Sequence, residues 1–548
     1  MQNPRLIDNI DELPMHWSSL VGKVNDRKGV FLSFILGFTI RLVPEILSYP
    51  HPIGFDTVYY AARIKSGVIW SSPTSLFSMW LYEGVLISVD KIVHMDPFLL
   101  LKLLAPLLFG LNVCGIYFFS RKALNWRIKT ALIASFFFAF QLASLRLSWD
   151  LHRNLLGSAI LLFALPLTTG IGKDRNYLIL LGLSVLLVFS HALVFVMFLS
   201  VVLAMFFRDW IRRNRLRSLK LLAAVLPSLV VLIMGFFVFR PVGYFPENVV
   251  ESGDIVHQSP AGFSFLVNYV SVSDSVQNYP SYLNLVMHVF SLFGILYLWW
   301  LPLVLVGFFR NEALDACTLL LLFGSFDALI TPFFALDFWN RWMFMLVYPF
   351  TFYATRGVEK LLLSGGQSVV SDFSYLNRIK ITKRRAVAIF SVAVVFGSAF
   401  LTVPPFFDRF GVFSIPTTSS YLPPTALYNS IPLRDVGHTI EVFEWLNENM
   451  NNNSSVLVHH AFLWWSDLYL DKKHAAIHFV RDVEKALAVS SMQGYDRIYL
   501  IWWNEPLLEW QNQSIGWYGL SVPNNFASVF SSDRISIYEY QVGSALVP

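Results

Sequence analysis

Residues 177–207 read YLILLGLSVLLVFSHALVFVMFLSVVLAMFF and contain no charged side chain. A helix needs about 20 apolar residues to cross roughly 30 Å of hydrocarbon, so this run is either one long helix or two short crossings. We predict two spans, at 177–191 and 192–207, that form a hairpin hinged at Ser190 and His191. This choice decides on which side of the membrane every later loop lies.

Similar apolar blocks recur along the chain and predict a polytopic membrane protein. Of the 548 residues, 55% are hydrophobic and 14% are charged, which is about half the charged share of a soluble domain. We predict a bundle of about 11 to 13 transmembrane helices. The eleven spans that the sequence indicates lie at about 30–48, 97–119, 130–147, 154–171, 177–191, 192–207, 219–239, 285–308, 313–331, 341–355 and 386–403.

The distribution of Lys and Arg orients this bundle. With a hinge at His191, the loops on one side hold 20 Lys and Arg, whereas those on the other side hold 6. Short cytoplasmic loops are enriched in these residues, so the N-terminus is predicted inside and the C-terminus outside. Topology accounts for the net charge of +5, and no nucleic-acid partner is predicted.

The predicted spans divide the chain into three parts. Residues 1–28 form a cytoplasmic segment, and 29–403 form the transmembrane domain. Two long outer loops, at 49–96 and 240–284, interrupt that domain. Residues 404–548 follow as an extracytoplasmic domain, in either a cell membrane or an endoplasmic reticulum membrane.

The C-terminal part has the pattern of a small α/β domain. Thr439 is the predicted cap of a helix whose apolar residues recur at helical spacing. The strand-like runs and one further helix lie at 456–460, 475–480, 482–489 (the helix), 497–503 and 535–540. The predicted fold is therefore mainly α, with a transmembrane helical domain followed by this α/β domain.

Ionisable residues cluster at the outer ends of the predicted spans. Polar groups beside apolar spans are costly, so each needs a partner or a function. Asp56 lies in the run PHPIGFDTVYY (50–60), where it either caps a helix or serves as a reactive carboxylate. The carboxylate lies just outside the first span in either case.

The second outer turn reads RLSWDLHRN (146–154) and combines two cations, an acid and an imidazole. Asp150 and His152 offer an oxygen and a nitrogen that suit a divalent ion. An ion pair between Asp150 and an arginine, either Arg146 or Arg153, is the alternative interpretation.

Three further residues are predicted at the same boundary. His191 lies at the hinge, where a histidine is either a hydrogen-bonded structural residue or a ligand-binding group. Asp274 lies in the long second outer loop, in SVSD (271–274). Arg341 stands between two tryptophans and either snorkels to lipid headgroups or offers its planar fork to a phosphate.

Two tryptophans and an acid follow the first predicted strand of the C-terminal domain. Trp464 and Trp465 are either core residues or a binding wall for a peptide or sugar, and Asp467 follows them closely. The nearby histidines lack a convincing zinc-ligand spacing. No zinc site is predicted.

The order of these motifs resembles membrane glycosyltransferases of the C type (GT-C), and among them the oligosaccharyltransferase catalytic subunit of archaea and eukaryotes. That family has an acid in the first outer loop and an acidic motif in the next outer turn, as Asp56 and Asp150 do here. A Ser-Val-Ser-Glu-like motif follows in a long outer loop, which 271–274 resembles. A strand then leads to a Trp-Trp-Asp-Tyr-Gly motif, where Trp464 and Trp465 lie.

The resemblance implies transfer of a sugar or oligosaccharide, with inversion, from a polyprenyl or dolichyl phosphate or diphosphate carrier. The acceptor would be extracytoplasmic, either a protein or a lipid-linked glycan, and membrane lipid would surround the site. The implied catalytic residues are Asp56, Asp150 and Asp274. The implied donor-phosphate ligands are Arg341, His191 and Arg153. The implied acceptor-binding residues are Trp464, Trp465 and Asp467. The implied ligands of a divalent metal, Mg or Mn, are Asp56, Asp150 and His152.

Several positions depart from that family. His152 replaces a second acid, Asp274 is one methylene shorter than the usual Glu, and Asp-Tyr-Gly does not directly follow the tryptophans. Two other functions also stay open on the sequence. One is a transporter or flippase of a lipid-linked or polar substrate, and the other is a scaffold subunit without catalytic activity.

Overall fold

The computed structural model describes most of the membrane domain and most of the C-terminal domain. The described residues are 25–54, 56–70, 73–239, 249–250, 282–330, 339–363, 385, 387–392, 394, 431, 433–479, 482–504 and 521–541. Asp274 lies outside these residues, so its predicted role stays a prediction.

Helices make up the described part of the membrane domain. They are α1 (Asp26–Leu47), α2 (Thr57–Ser66), α3 (Leu81–Val93), α4 (Pro97–Lys122), α5 (Ile128–Phe140), α6 (Leu142–Asp150), α7 (His152–Thr169), α8 (Asp174–Ser190), α9 (Ala192–Ile211), α10 (Arg215–Ile233), α11 (Tyr282–Tyr297), α12 (Leu301–Gly307), α13 (Glu312–Ile330), α14 (Trp339–Met345) and α15 (Val347–Leu363). The long helix α4 packs against α1, α5 and α7.

The hinge predicted in the apolar run 177–207 is confirmed. Helix α8 ends at Ser190 and α9 begins at Ala192, and His191 between them is extended, with φ −163° and ψ 121°. An extended residue cannot continue the hydrogen-bond pattern of a helix, so the run forms two helices.

Four of the described helices are long and apolar enough to cross a membrane alone, namely α1, α4, α9 and α10. The number rises to six if α5 with α6, and α11 with α12, each form one bent span, with bends of 62° and 69°. The chain is therefore an integral membrane protein. The count of eleven spans stays a prediction, although each predicted span up to 341–355 overlaps a helix.

Helices α12 and α15 cross at two glycines, Gly307 and Gly357. A Cβ atom on Gly357 would overlap the carbonyl oxygen of Leu303, and one on Gly307 would overlap the backbone of Tyr353 and Gly357. Small residues at such crossings let helix backbones approach closely and pack well in lipid.

We expect Gly357→Ala to lower the free energy of unfolding by about 1–3 kcal/mol, because the helices must separate to admit the methyl group. Gly182→Ala is the matched control, since nothing lies within 4 Å of a Cβ there and the position is on the helix α8. Denaturant titration of the purified protein in detergent measures both. Equal stability of the two variants would contradict the close crossing.

The C-terminal domain is a six-stranded sheet with helices. Its elements are α16 (Leu433–Asn449), β2 (Ser454–His459), α17 (Leu463–Tyr469), β3 (Ala475–Phe479), α18 (Val483–Met492), β4 (Arg497–Trp503), β5 (Ala527–Ser531) and β6 (Ile535–Gln541), joined by β1 (Val249–Val250). The strand order is β1-β3-β2-β4-β6-β5. The first four strands are parallel, and β6 is antiparallel to both of its neighbours, β4 and β5. The predicted small α/β domain is confirmed.

Several details of this domain differ from the sequence-based expectation. The helix predicted to begin at Thr439 already includes Leu433, and the Thr439 hydroxyl donates to the carbonyl of Asp435 inside it, so Thr439 is not a cap. The sheet also recruits β1 from the second outer loop. Neither the early helix start nor this distant pairing leaves a periodic signal in the sequence.

The C-terminal domain contacts the membrane domain through α17, which packs on α2. The Lys65 ammonium on α2 donates to the carbonyl of Leu468. The ring of Trp465 lies 6.1 Å from that of Phe98 at the start of α4. The domain therefore lies over the helix that follows Asp56.

Candidate functional site

Ionisable side chains converge at the end of the bundle that is predicted to be the outer one. We use "outer cluster" for six of them, namely Asp56, Glu83, Arg146, Asp150, Arg153 and Arg341. They come from helices far apart in the sequence, and they form three ion pairs. These pairs differ in length and exposure, which separates their roles.

Asp56 occupies the N-cap position of α2, but its side chain makes no capping hydrogen bond. It faces Arg341 of α14 instead, with Oδ2 3.4 Å from Nη2, and both side chains are 28% exposed. Burial raises the pKa of Asp56; Arg341 opposes that rise, and Asp150 adds to it. A partly exposed carboxylate whose pKa is raised, beside a guanidinium that is also partly exposed, suits a general base.

Gly54 brings the Asp56 loop onto the turn that contains Asp150. Its φ of +95° disfavours other residues, and a Cβ there would lie 2.5 Å from Cβ of Asp150 and 2.7 Å from Cδ1 of Trp149. The close approach places the Asp56 and Asp150 carboxylates within electrostatic reach of each other. The glycine of the Gly-Phe-Asp motif is therefore needed because a larger residue there would overlap Asp150 and Trp149.

Asp150 is held by Arg146, one turn earlier on α6. Their closest approach is 2.6 Å, between Nη1 and Oδ1, and their side chains are only 5% and 2% exposed. A buried carboxylate that already has such a partner is poorly placed to accept a substrate proton. The geometry favours a positioning role for Asp150.

Arg153 of α7 forms a buried ion pair with Glu83 of α3. Arg153 also donates to the hydroxyl of Tyr59 at 2.8 Å, and that hydroxyl lies 3.4 Å from Oε1 of Glu83. Sequence reasoning missed Glu83. The lone acid in the apolar run LYEGVLISV (81–89) was the available signal.

Both predicted histidines are buried at this end of the bundle. The hydroxyl of Tyr82 lies 2.8 Å from Nδ1 of His152, whose ring stacks on Tyr60. His191 lies within electrostatic reach of Arg341 and Arg153. Within the described part of the chain, Nδ1 of His191 has no hydrogen-bond partner, so it can bind a polar ligand.

A second charged group underlies the outer cluster and consists of Arg41, Glu45 and Lys102, which we call the basal triad. Glu45 accepts from Arg41 at 2.6 Å and from Lys102 at 3.0 Å. Arg41 also donates to the carbonyls of Ser148 and Trp149, at 2.9 and 3.3 Å. The triad therefore ties α1 and α4 to the turn that contains Asp150.

The three predicted acceptor-binding residues lie on α17. The ring of Trp464 meets that of Tyr59 edge to face at 4.8 Å, so it connects this helix to the Arg153 pair. Trp465 is 1% exposed and contributes to packing. Desolvation by the surrounding protein raises the pKa of Asp467 to about 6, against the effect of Arg63, although the side chain keeps solvent contact.

The predicted metal ligands do not come together as a metal site. Asp150 is engaged by Arg146, His152 by Tyr82, and Asp56 by Arg341. Across the described ranges, no group of three or more His, Cys, Asp or Glu side chains has an arrangement that could hold a metal ion. A metal-binding role stays a prediction, and this arrangement does not fit it.

Comparison with known proteins gives only distant similarities. No family model matches the chain, and no curated protein is similar to it in sequence. Two cryo-EM structures of the arabinofuranosyltransferase AftD from Mycobacteria, one of them of a point mutant, are 12% and 11% identical, each with a TM-score of 0.46. The comparison covers 96% of this chain but 40% and 41% of those chains. This chain thus spans about two fifths of their length, and a TM-score below 0.5 supports no functional argument.

Proposed function

We propose that the protein is a membrane glycosyltransferase that moves a sugar or oligosaccharide from a polyprenyl or dolichyl phosphate or diphosphate carrier to an extracytoplasmic acceptor. The observation that carries this proposal is the pair of Asp56 and Arg341, which combines a base and a phosphate-binding fork. It is more exposed than the other two pairs of the outer cluster. A lipid carrier in the outer leaflet can present its phosphate at this boundary.

The proposed reaction is a displacement at the anomeric carbon. Asp56 takes the proton from the acceptor hydroxyl or amide, whose oxygen or nitrogen forms the new bond to that carbon. The bond from the carbon to the phosphate oxygen breaks, and the leaving phosphate keeps the electron pair. Arg341 and His191 stabilise its developing charge. Attack opposite the leaving group inverts the configuration.

The C-terminal domain is proposed to bind the acceptor on the outer side. Trp464 offers an aromatic surface next to Tyr59, and Asp467 keeps contact with solvent beside it. Helix α17 contacts the helix that begins just after Asp56, so an acceptor bound there lies beside the proposed base. Protein and glycan acceptors both fit this description.

Removing the charge of Arg341 is expected to move the acid limb of the activity profile to higher pH. Arg341 lowers the pKa of Asp56, so Arg341→Ala lets that pKa rise further. The base is active only when deprotonated. As the pH is lowered, the variant therefore loses activity at a higher pH than the wild type does. The kcat/KM for the lipid-linked donor should also fall about 10- to 100-fold, because a charge-assisted hydrogen bond to phosphate is lost.

The matched control is Arg341→Lys, which keeps the charge but loses the planar fork. It should leave the acid limb near its wild-type position and still raise the KM for the donor. The assay follows sugar transfer from lipid-linked donors to peptide and glycan acceptors by purified protein from pH 5 to 9. An unchanged limb in Arg341→Ala would contradict Asp56 as the base, and no transfer by the wild type from any donor would favour a transporter or scaffold.

A further inference from the structure

The number of available cations limits the charge of the donor that the outer cluster can accept. Arg146 and Arg153 form ion pairs with the carboxylates Asp150 and Glu83. Three of these side chains are buried, and that of Arg153 is only 11% exposed. Arg341 is in a longer and more exposed pair. Of the three arginines of the outer cluster, Arg341 is therefore the most accessible to an incoming phosphate.

The sequence shows how many further Lys and Arg residues the undescribed parts of the outer loops of the membrane domain contain. The segments at 241–284 and 331–338 contain no Lys or Arg, and Phe55, Ser71 and Ser72 are uncharged. Arg240 is the one cation of these loops that lies outside the described residues. The undescribed parts of these loops therefore cannot supply a cluster of cations for a highly charged ligand. In the described loop at 49–96, Arg63 and Lys65 donate to the carbonyls of Val68 and Leu468.

Charge balance gives the same limit. The three ion pairs of the outer cluster cancel, whereas the basal triad has two cations and one carboxylate and leaves one positive charge in excess. Its side chains are buried next to the Asp150 turn, where solvent screens charge poorly. The outer cluster and the basal triad together therefore have one excess positive charge, which complements one negative charge.

We propose that the donor is a sugar on a polyprenyl monophosphate rather than on a diphosphate, an inference that rests on the proposed glycosyltransferase function. A sugar phosphodiester has one negative charge, which the accessible Arg341 and the excess charge of the triad match. In the transfer step the acceptor proton goes to Asp56, and the polyprenyl phosphate leaves as a dianion. The negative charge on Asp56 has thus moved to the leaving phosphate.

A diphosphate donor has two negative charges and leaves with three. Its second phosphate would need another fork or a divalent ion. Recruiting Arg153 would strip the buried Glu83 of its partner, and breaking a buried pair in this way is strongly destabilising. The predicted metal ligands are likewise engaged by protein groups.

The test compares one sugar attached to the same polyprenol through a monophosphate and through a diphosphate. The full-length protein is assayed in nanodiscs with one acceptor, in EDTA and again in Mg. We expect the kcat/KM for the monophosphate donor to be about 100-fold higher in both buffers, because the second phosphate charge has no counter-charge in the site. Faster transfer from the diphosphate donor, with or without Mg, would overturn the inference but leave the proposed function standing.

Transfer from neither donor would overturn the proposed function itself. A second variant tests the charge argument directly. Glu83→Gln removes one carboxylate. The ratio of kcat/KM for the monophosphate donor to kcat/KM for the diphosphate donor should therefore fall about tenfold, because transfer from the diphosphate donor becomes faster. Glu312→Gln makes the same chemical change at an exposed carboxylate outside both charged groups and should leave the ratio unchanged. An unchanged ratio in Glu83→Gln would contradict control by charge.

Discussion

Asp56→Asn is expected to lower kcat by about 10²- to 10⁴-fold while the KM for the donor does not rise. An amide has nearly the shape of the carboxylate but cannot accept the acceptor proton at neutral pH. The substitution also removes the negative partner of Arg341, so the guanidinium binds the donor phosphate at least as well. A fall in kcat without a rise in KM identifies a group that acts in the transition state.

The matched control for this variant is Asp96→Asn. Asp96 is the exposed N-cap of α4, and its side chain accepts from the amide of Leu99 at 3.0 Å. Asn is an equally good cap, so this change should leave both kcat and stability near wild type. A wild-type kcat in Asp56→Asn would contradict the proposal that Asp56 is the general base. An equal loss of kcat in Asp96→Asn would show instead that replacing an acidic residue at a helix N-cap lowers activity by disturbing the fold.

The helical architecture could be predicted because apolar block length and helix geometry are local properties. The hinge at His191 is the clearest case. The run 177–207 is longer than a single membrane span needs, and the charge on the flanking loops favours two spans. The early start of α16 and the strand β5 were missed. Strand β5 is mostly exposed, so it lacks the alternation by which strands are recognised.

The sequence indicates most of the ionisable residues of the candidate site, but it does not indicate which of them form ion pairs. Asp56, Arg153 and Arg341 stood out because charge is costly beside apolar spans. Their partners depend on which helices pack together, and that information is not local. Glu83 is 70 residues from Arg153 in the sequence, and no periodicity connects them. The expected metal ligands likewise have other partners in the described structure, and a metal site there stays a prediction.

Glu45→Gln is expected to lower the free energy of unfolding by about 3–5 kcal/mol, the largest loss in stability that we predict. Glu45 is 6% exposed and is the carboxylate shared by Arg41 and Lys102. The substitution leaves two buried cations without a counter-charge. It should also lower kcat, because Arg41 then holds the carbonyls of Ser148 and Trp149 less firmly and the Asp150 turn shifts.

Glu312→Gln provides the matched control on the opposite side of the bundle. Glu312 is 46% exposed and lies 2.7 Å from Arg208. The same chemical change in an exposed pair should cost less than about 1 kcal/mol and leave transfer unaffected. Denaturant titration in detergent micelles measures both variants. Equal losses would mean that the burial of Glu45 adds nothing.

The double variant Glu45→Gln/Lys102→Met separates charge from packing within the triad. Lys102→Met alone leaves Arg41 and Glu45 as a balanced pair, so its cost should be smaller than that of Glu45→Gln. In the double variant the second cation is gone, and the unfolding free energy should recover part of the Glu45→Gln loss. The coupling energy from the full cycle is therefore expected to be favourable to the pair. Strict additivity would mean that Glu45 stabilises the fold through shape rather than charge, and the excess positive charge beneath the donor site would then have no structural consequence.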